Sequence, residues 1–169
     1  FQTNSYQVKT LYDYIIKTAD FKKSDIIYDL YCGTGTIGIY VSSFVKKVYG
    51  IEIVKDAIKD AKFNAKKNNI KNIAFYDSDI KDFFTNQNII IDKPDTIIID
   101  PPRPGLHPNV IKDIIKLSPS KIIYVSCNPS TQARDVKIFL EEGYKTYDIQ
   151  PIDMFPHTPH IECIISLKK

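Results

Sequence analysis

Short runs of branched aliphatic and aromatic residues recur along the chain, at intervals typical of a protein that alternates strands with helices. The runs occupy residues 26–30, 48–51, 73–76, 96–99 and 122–125. Most positions within each run are hydrophobic, rather than every second one, which is typical of strands buried on both faces of a parallel sheet. The pattern therefore predicts a buried parallel strand at each of these runs.

The segments between the runs carry hydrophobic residues at the spacing of one helical face. This spacing predicts helices over residues 5–19, 54–68, 109–117 and 131–141. Gly143 follows the last of these segments, at a position suited to the left-handed residue that commonly ends a helix.

Residues 145–149 and 161–167 again have the pattern of strands, and the proline-rich segment 151–159 separates them. A connection this short joins antiparallel neighbours, because a parallel pair needs a crossover of a dozen or more residues. We therefore predict an α/β fold with an open, mostly parallel, seven-stranded sheet, an antiparallel hairpin at one edge and helices on both faces. We expect one domain over residues 1–169.

Composition narrows the class of protein. A chain of 169 residues, 43% of them hydrophobic, can bury one substantial core, and its formal net charge of +3 permits a nucleic-acid partner without arguing for one. No apolar run approaches the roughly 18–20 residues of a membrane span. The three cysteines form no Cys-x-x-Cys pair, so we expect no metal site, no disulfide framework and a reducing cytoplasm. The chain opens at Phe1 without an initiator methionine, and we expect it to be a fragment.

Ligands of parallel α/β sheets bind beyond the carboxyl ends of the strands, so the residues that follow each run are the candidates for chemistry. Gly33, Gly35 and Gly38 after the first run fit the dinucleotide fingerprint G-x-G-x-x-G. Glu52 ends the second run 19 residues after Gly33 (52 − 33), where a carboxylate can bind both hydroxyls of a ribose. These features fit NAD and S-adenosylmethionine (SAM) equally well.

Two further acids favour SAM. Asp29 precedes the first glycine of the fingerprint, where a carboxylate can hold a cationic or amino-acid group. The fourth run ends in Asp100-Pro-Pro-Arg103, which sets an acid on a proline-fixed turn beside the same crevice. Asp79, after the third run, can reach an adenine amino group or cap a helix over residues 80–84, and the sequence leaves both roles open.

A thiol and a second carboxylate complete the candidate chemistry. Cys127 ends the fifth run within Ser126-Cys-Asn-Pro129, at the same strand edge, and is a candidate nucleophile. We expect Cys32 and Cys163 to be ordinary buried thiols. In His160-Ile-Glu162, strand alternation places the histidine and the glutamate on one face, near Cys127. Glu162 is then a candidate general base, and a surface acid paired with a lysine is the alternative.

This ordered set of motifs resembles the RNA uracil-5-methyltransferase family. The similarity extends over the whole chain and is carried by Phe1-Gln-Thr-Asn4, Asp29-Leu-Tyr-Cys-Gly-Thr-Gly35, Asp100-Pro-Pro-Arg103, Ser126-Cys-Asn-Pro129, Asp153-Met-Phe-Pro-His-Thr158 and His160-Ile-Glu162. It implies a Rossmann-like class I methyltransferase fold with SAM as the cofactor. The cofactor contacts that it implies are Gln2, Tyr31, Gly33, Glu52, Asp79, Asp100 and the backbone near Thr36, where family members often have Asn.

The resemblance also implies a covalent mechanism. Cys127 would add to C6 of a uracil flipped out of an RNA, C5 would accept the methyl group, and Glu162 would remove the C5 proton. Arg103, Asn128 and His160 are candidate donors to the enolate oxygen. We expect RNA as the partner, with 23S ribosomal RNA favoured over transfer RNA, and neither a membrane nor an obligate protein partner. Family members usually carry an N-terminal RNA-binding barrel and often an iron–sulfur segment, neither of which falls within this chain.

Four other functions share part of the pattern. An RNA cytosine-5-methyltransferase would have a second cysteine after the fourth run, where this chain has Asp100-Pro-Pro-Arg103. An amino-directed methyltransferase would place a tyrosine at the position of Arg103. An NAD(P)-dependent oxidoreductase shares the glycines but has no use for Cys127 and Glu162. A SAM-binding fragment that is inactive alone is the remaining alternative, because basic residues are spread thinly over helix faces.

Overall fold

The computed structural model describes residues 5–85, 91–154, 156–158 and 161–169. Its strands are β1 Ile26–Leu30, β2 Lys47–Glu52, β3 Ile73–Asp77, β4 Thr96–Ile99, β5 Lys121–Ser126, β6 Lys145–Ile152 and β7 Glu162–Lys168. Its helices are α1 Ser5–Ala19, α2 Thr36–Val41, α3 Lys55–Lys67, α4 Ile80–Thr85, α5 Pro108–Leu117 and α6 Pro129–Glu141, with a 3₁₀ turn at Ser42–Phe44.

The seven strands form one sheet in the order β3-β2-β1-β4-β5-β7-β6. Strands β1 to β5 pair in parallel, whereas β7 runs antiparallel to both β5 and β6. The predicted mostly parallel sheet with an antiparallel hairpin is therefore confirmed. The hairpin joins the sheet through its second strand, so β6 is the outer edge.

Most element bounds follow the sequence pattern, and the differences have local causes. Helices α5 and α6 begin at Pro108 and Pro129, ahead of the predicted residues 109 and 131. Proline suits the first turn of a helix because the N–H it lacks would have no partner there. Strand β6 continues to Ile152, and β7 begins at Glu162, one residue later than predicted. Helix α2 was not predicted, because its six residues are too few to show a helical period.

Helices cover both faces of the sheet. On one face α1 packs Leu11 and Ile15 against Ile27 of β1 and Ile98 of β4, and all of these side chains are fully buried. Helices α2 and α3 extend this layer towards β3. Burying an aliphatic side chain of this size contributes about 1.5–3 kcal/mol, so this layer holds α1 firmly over the strands.

The opposite face is covered by α4, α5 and α6. Ile114 of α5 and Phe139 of α6 are fully buried against Ile97 and Tyr124 of the central strands. Within the part of the chain that the structure describes, no helix is long and apolar enough to cross a membrane.

The topology brings one end of β7 to the rim where the parallel strands finish. The carboxyl ends of β1, β4 and β5 lie at this rim because the three strands are parallel neighbours. Strand β7 runs the other way, so its first residue, Glu162, reaches the same rim. The candidate residues that follow the strands are thereby collected at one edge of the sheet.

Candidate active site

A turn of unusual backbone conformation follows β1. Tyr31 has a φ of 62° and Gly33 a φ of 53°, both in the left-handed region. The N–H of Gly33 donates to Glu52 at 3.1 Å, and the N–H of Val54 donates to the other oxygen of the same carboxylate at 2.9 Å. Glu52 thus joins the glycine turn to the start of α3 and is fixed at the end of β2.

The glycine turn forms one wall of a cleft of about 760 Å³. Tyr31, Gly33, Thr36 and Asp100 line it, together with Tyr12 from α1 and Phe63 and Asn64 from α3. A smaller recess adjoins it and is lined by Tyr31, Glu52, Ile53, Asp79, Ile80 and Val110. The structure therefore brings together six of the seven residues predicted to bind the cofactor, and Tyr31 borders both spaces. The seventh, Gln2, lies outside the described residues.

Asp79 and Thr36 each have a structural partner as well as a place in the site. The carboxylate of Asp79 accepts a hydrogen bond from the N–H of Lys81 at 2.8 Å, so it caps α4 while also lining the recess. Thr36 begins α2, and its hydroxyl accepts a hydrogen bond from the Tyr12 hydroxyl at 2.8 Å. The capping role proposed for Asp79 is confirmed, and its role towards an adenine stays a prediction.

The carboxyl group of Asp29 is fully buried beneath the glycine turn. One oxygen accepts a hydrogen bond from the N–H of Gly38 at 2.9 Å, and the other has no hydrogen-bond partner among the described residues. A β-carbon on Gly38 would lie 2.9 Å from this carboxylate, so only glycine allows the approach. Burial raises the pKa of Asp29 to about 7, with smaller contributions from Asp100 and Glu52.

Asp100 extends this negative region across the sheet. Burial raises its pKa to about 6. Burial, followed by the charge of Asp100, raises the pKa of Glu162 to about 7. The charge of Asp100 thus raises the pKa of both Asp29 in β1 and Glu162 at the start of β7, so the three acids belong to one region of the site. A buried oxygen without a partner, in a region of carboxylates, suits a ligand that brings positive charge and N–H donors.

Cys127 directly follows strand β5, and Glu162 is the first residue of the adjacent strand β7. Ser126 at the end of β5 pairs with Cys163 of β7 in antiparallel register. Cys127 is the next residue after Ser126, and Glu162 is the residue before Cys163, so both lie directly beyond this last register pair, at the same end of the two strands. Cys127 is half-buried, and only 3% of the Glu162 surface is exposed. The two residues therefore lie at one rim of the sheet, and the role of each in catalysis stays a prediction.

For the remaining residues considered from the sequence, the structure confirms some predictions and does not test others. Asn128 caps α6 by accepting from the N–H of Ser130 at 3.2 Å and donates to the carbonyl of Arg103 at 3.2 Å, so its amide holds the turn. His160 lies outside the described residues. Cys32 and Cys163 are buried as expected. Burial is also the main reason that the pKa of each is raised.

Three residues near the site were not predicted from the sequence. Tyr12 reaches the cleft from α1, where its position in the hydrophobic stripe gave no sign of this role. Gln132 and Asp135 are fully buried polar residues of α6. They lie on the same buried face of α6 as Val136 and Phe139. Two polar residues on an otherwise hydrophobic helix face were the feature of the sequence that could have identified them. Among the described residues, no group of three His, Cys, Asp or Glu side chains is arranged to hold a metal ion.

Comparison with known proteins gives a consistent family. The family model described as tRNA (uracil-5-)-methyltransferase matches residues 1–169. An uncharacterized RNA methyltransferase of Chlorobaculum tepidum is 45% identical over 171 residues, covering 100% of this chain and 35% of that protein. One from Bacteroides thetaiotaomicron is 48% identical over 169 residues, covering 99% of this chain and 37% of that protein. The chain thus spans little more than a third of the length of these relatives.

A solved structure agrees with these matches. The Pyrococcus abyssi tRNA (uracil-54, C5)-methyltransferase in complex with S-adenosyl-L-homocysteine is 38% identical, with a TM-score of 0.83, over 99% of this chain and 39% of that chain. A precorrin-6y C5,15-methyltransferase from Geobacter metallireducens, 14% identical with a TM-score of 0.77 over 95% of this chain and 89% of that one, shares the fold alone. The family resemblance and the class I methyltransferase fold predicted from the motifs are confirmed.

Proposed function

Since the chain belongs to the tRNA (uracil-5-)-methyltransferase family, we propose that it is the domain in which a methyl group passes from SAM to C5 of a uracil in RNA. The observation that carries the proposal is that Cys127 and Glu162 directly flank the last register pair of β5 and β7, at the same rim as Asp100 and the cleft behind it. A thiol and a carboxylate on one face can activate and then deprotonate a single ring held between them.

In this proposal SAM lies in the cleft, with its adenine end towards the recess. The carboxylates of Asp29 and Asp100 face the cationic end of the cofactor in this proposal, and the unpartnered oxygen of Asp29 has capacity for an N–H donor. Glu52 takes the ribose hydroxyls and Asp79 the adenine amino group, with Ile53, Ile80 and Val110 of the recess against the adenine ring. Tyr31, Gly33 and Thr36 complete the wall, and Gln2 is included on the family resemblance.

Cys127 performs the first chemical role. C5 of uracil is a weak nucleophile, and addition of the Cys127 thiolate to C6 moves the ring electrons towards the O4 enolate and C5. C5 then forms a bond to the methyl group, for which SAM supplies an electrophilic carbon on sulfur. Cys127 is half-buried at the end of β5, and this chemistry requires its thiol to meet a base that has left its stack.

Glu162 performs the second role. After transfer, C5 carries both the methyl group and its original proton. The carboxylate removes this proton, the C5–C6 double bond re-forms and the C6–S bond breaks, which returns the thiolate. A base is most effective when its pKa lies near the working pH, and the raised pKa of Glu162, about 7, meets this condition.

The substrate is an RNA in which the target uracil is flipped into the cleft. We retain 23S ribosomal RNA as the first substrate to test. Transfer RNA is the alternative, since the Pyrococcus protein is named for it. A cytoplasmic location is part of the proposal, because all three cysteines are free thiols.

The decisive experiment compares the wild-type complete protein with Cys127→Ala, using Cys163→Ala as the control thiol removal. Ribosomal and transfer RNA are incubated separately with SAM, digested to nucleosides and analysed for 5-methyluridine by mass spectrometry. We expect product from the wild type and the control, and none from Cys127→Ala, which should bind SAM within about threefold of wild type. A normal methylation rate in Cys127→Ala contradicts the covalent mechanism. Formation of 5-methylcytidine points instead to the cytosine-5 alternative.

A further inference from the structure

The loop that follows Asp100 is bound to α6 through its backbone. The carbonyl of Arg103 accepts hydrogen bonds from the Asn128 amide at 3.2 Å and from the Thr131 hydroxyl at 3.1 Å. The carbonyl of Pro104 accepts from the Arg134 guanidinium at 2.9 Å. These donors all lie in the first half of α6 or at its N-cap, directly after Cys127.

Asp135 is the buried centre of these contacts. None of its surface is exposed. One carboxylate oxygen accepts from the N–H of Leu106 and from the Tyr124 hydroxyl, each at 2.7 Å. The other accepts from Arg134 at 2.9 and 2.7 Å. A single carboxylate therefore ties together the loop after β4, the strand β5 and the helix α6.

The loop approaches this carboxylate so closely that a side chain is excluded. Gly105 has a φ of 80°, and a β-carbon there would lie 2.6 Å from an Asp135 oxygen and 2.8 Å from the Arg134 guanidinium. We call the contacts of residues 103–106 with Asn128, Thr131, Arg134 and Asp135 the loop–helix latch.

Asp100 and Cys127 differ in what holds them. The N–H of Asp100 donates to the carbonyl of Leu30 at 3.4 Å, so β1 still supports it beyond the end of β4. Cys127 lies between the last residue of β5 and the N-cap of α6, outside the strand. Its position relative to Asp100 depends on where α6 begins, and the latch fixes that start against the Asp100 loop.

We propose that Asp135 is a positioning residue for methyl transfer, which sets the place of the Cys127 thiol relative to Asp100 through the loop–helix latch. The inference rests on the proposed function and adds a residue that touches neither the base nor the cofactor. Reaction between two bound groups is sensitive to such placement, since a misplacement of about 1 Å can lower the rate roughly 100-fold.

The test variant is Asp135→Asn in the complete protein. The amide oxygen can still accept from Leu106 and Tyr124, but the amide nitrogen can no longer accept from Arg134. The matched control is Asp113→Asn on α5, which removes a helix carboxylate paired with Lys116 at 2.8 Å, away from the rim. Arg134→Lys removes the guanidinium that donates two hydrogen bonds to Asp135. It is the test variant if Asp135→Asn does not fold.

Three quantities are measured well below the melting temperature. We expect kcat to fall about 10- to 100-fold and the Kd for SAM to change less than about threefold, because Asp100 keeps its support from β1. The rate of alkylation of Cys127 by iodoacetamide, followed on its peptide by mass spectrometry, should change by at least about threefold. The control should match the wild type in all three.

Two outcomes overturn the proposal. One is an unchanged kcat and an unchanged alkylation rate in a folded variant. The other is a parallel loss of SAM affinity and kcat, which indicates a purely structural role. The alkylation assay uses no RNA, so it tests the placement of Cys127 even if the wild type fails to methylate uracil and the proposed function is wrong.

Discussion

The carboxylate of Asp29 accepts a hydrogen bond from the N–H of Gly38 at 2.9 Å, while its second oxygen is buried without a partner among the described residues. Burial raises the pKa of Asp29 from 3.8 to about 7, because the single hydrogen bond from Gly38 does not offset the loss of water. Two measurable consequences follow for folding.

The free energy of unfolding should fall as pH rises from about 4 to about 7 and be level above this window, because the unfolded chain releases the Asp29 proton first. Each such group contributes a slope of up to about 1.4 kcal/mol per pH unit. Asp29→Asn should flatten the slope by about this amount, which urea titrations at several pH values can measure. Asp56→Asn is the control, since Lys59 lowers the pKa of Asp56 and its loss cannot flatten a downward slope. An unchanged slope in Asp29→Asn shows that the buried carboxyl does not titrate as described.

Replacement of the proposed base should separate methyl transfer from product release. In Glu162→Gln we expect the methyl group to reach C5 and the enzyme to remain attached to RNA through Cys127, because the C5 proton has no acceptor. The adduct should appear as a slowly migrating band on a denaturing gel, at a yield near one per enzyme. Glu141→Gln, an exposed acid of α6, should turn over normally. Rapid turnover by Glu162→Gln assigns the proton to another group.

The rate of product release should rise with pH if Glu162 is the base. A carboxylate accepts the proton only when ionised, and burial together with Asp100 raises its pKa to about 7. The rate of product release at saturating SAM and RNA should therefore rise through about pH 7 and reach a plateau about one unit above it. A single-turnover chase of the adduct measures this rate. A rate that is flat between pH 6 and 8 is incompatible with Glu162 as the base.

Tyr12 should contribute to cofactor affinity through Thr36. Its hydroxyl donates to Thr36 at 2.8 Å inside the cleft, and a hydrogen bond of this kind is worth about 0.5–1.5 kcal/mol. Tyr12→Phe should therefore weaken SAM binding about 2- to 10-fold in calorimetry. Tyr40→Phe is a matched control, because it removes a neighbouring hydroxyl that donates to the exposed Asp13 at 2.6 Å. Equal effects in both variants indicate loosening of α1 rather than a contact at the cleft.

Much of the fold could be predicted because the buried strands are hydrophobic along their length and the last two strands are joined too closely for a crossover. The runs at 26–30 and 96–99 became β1 and β4 with the same bounds. Helix α2 could not be predicted, since it begins inside the glycine turn and is held there by contacts of Gly38 and Thr36 with distant residues.

The candidate site was predictable where it depends on strand ends. Tyr31, Glu52 and Asp100 follow hydrophobic runs, and parallel pairing alone brings them to one rim. The contacts of Asp135 could not be predicted, because its partner Leu106 lies 29 residues away and on another element. Local spacing shows only that an acid interrupts the apolar face of α6, whereas the reason for it is the fold of a distant loop.

Strand β7 has hydrogen-bonded neighbours on both sides, β5 and β6. A shift of one residue in the register would turn every side chain of β7 to the opposite face of the sheet. Pairing on both sides of β7 therefore sets the position and fixes the orientation of Glu162, its first residue.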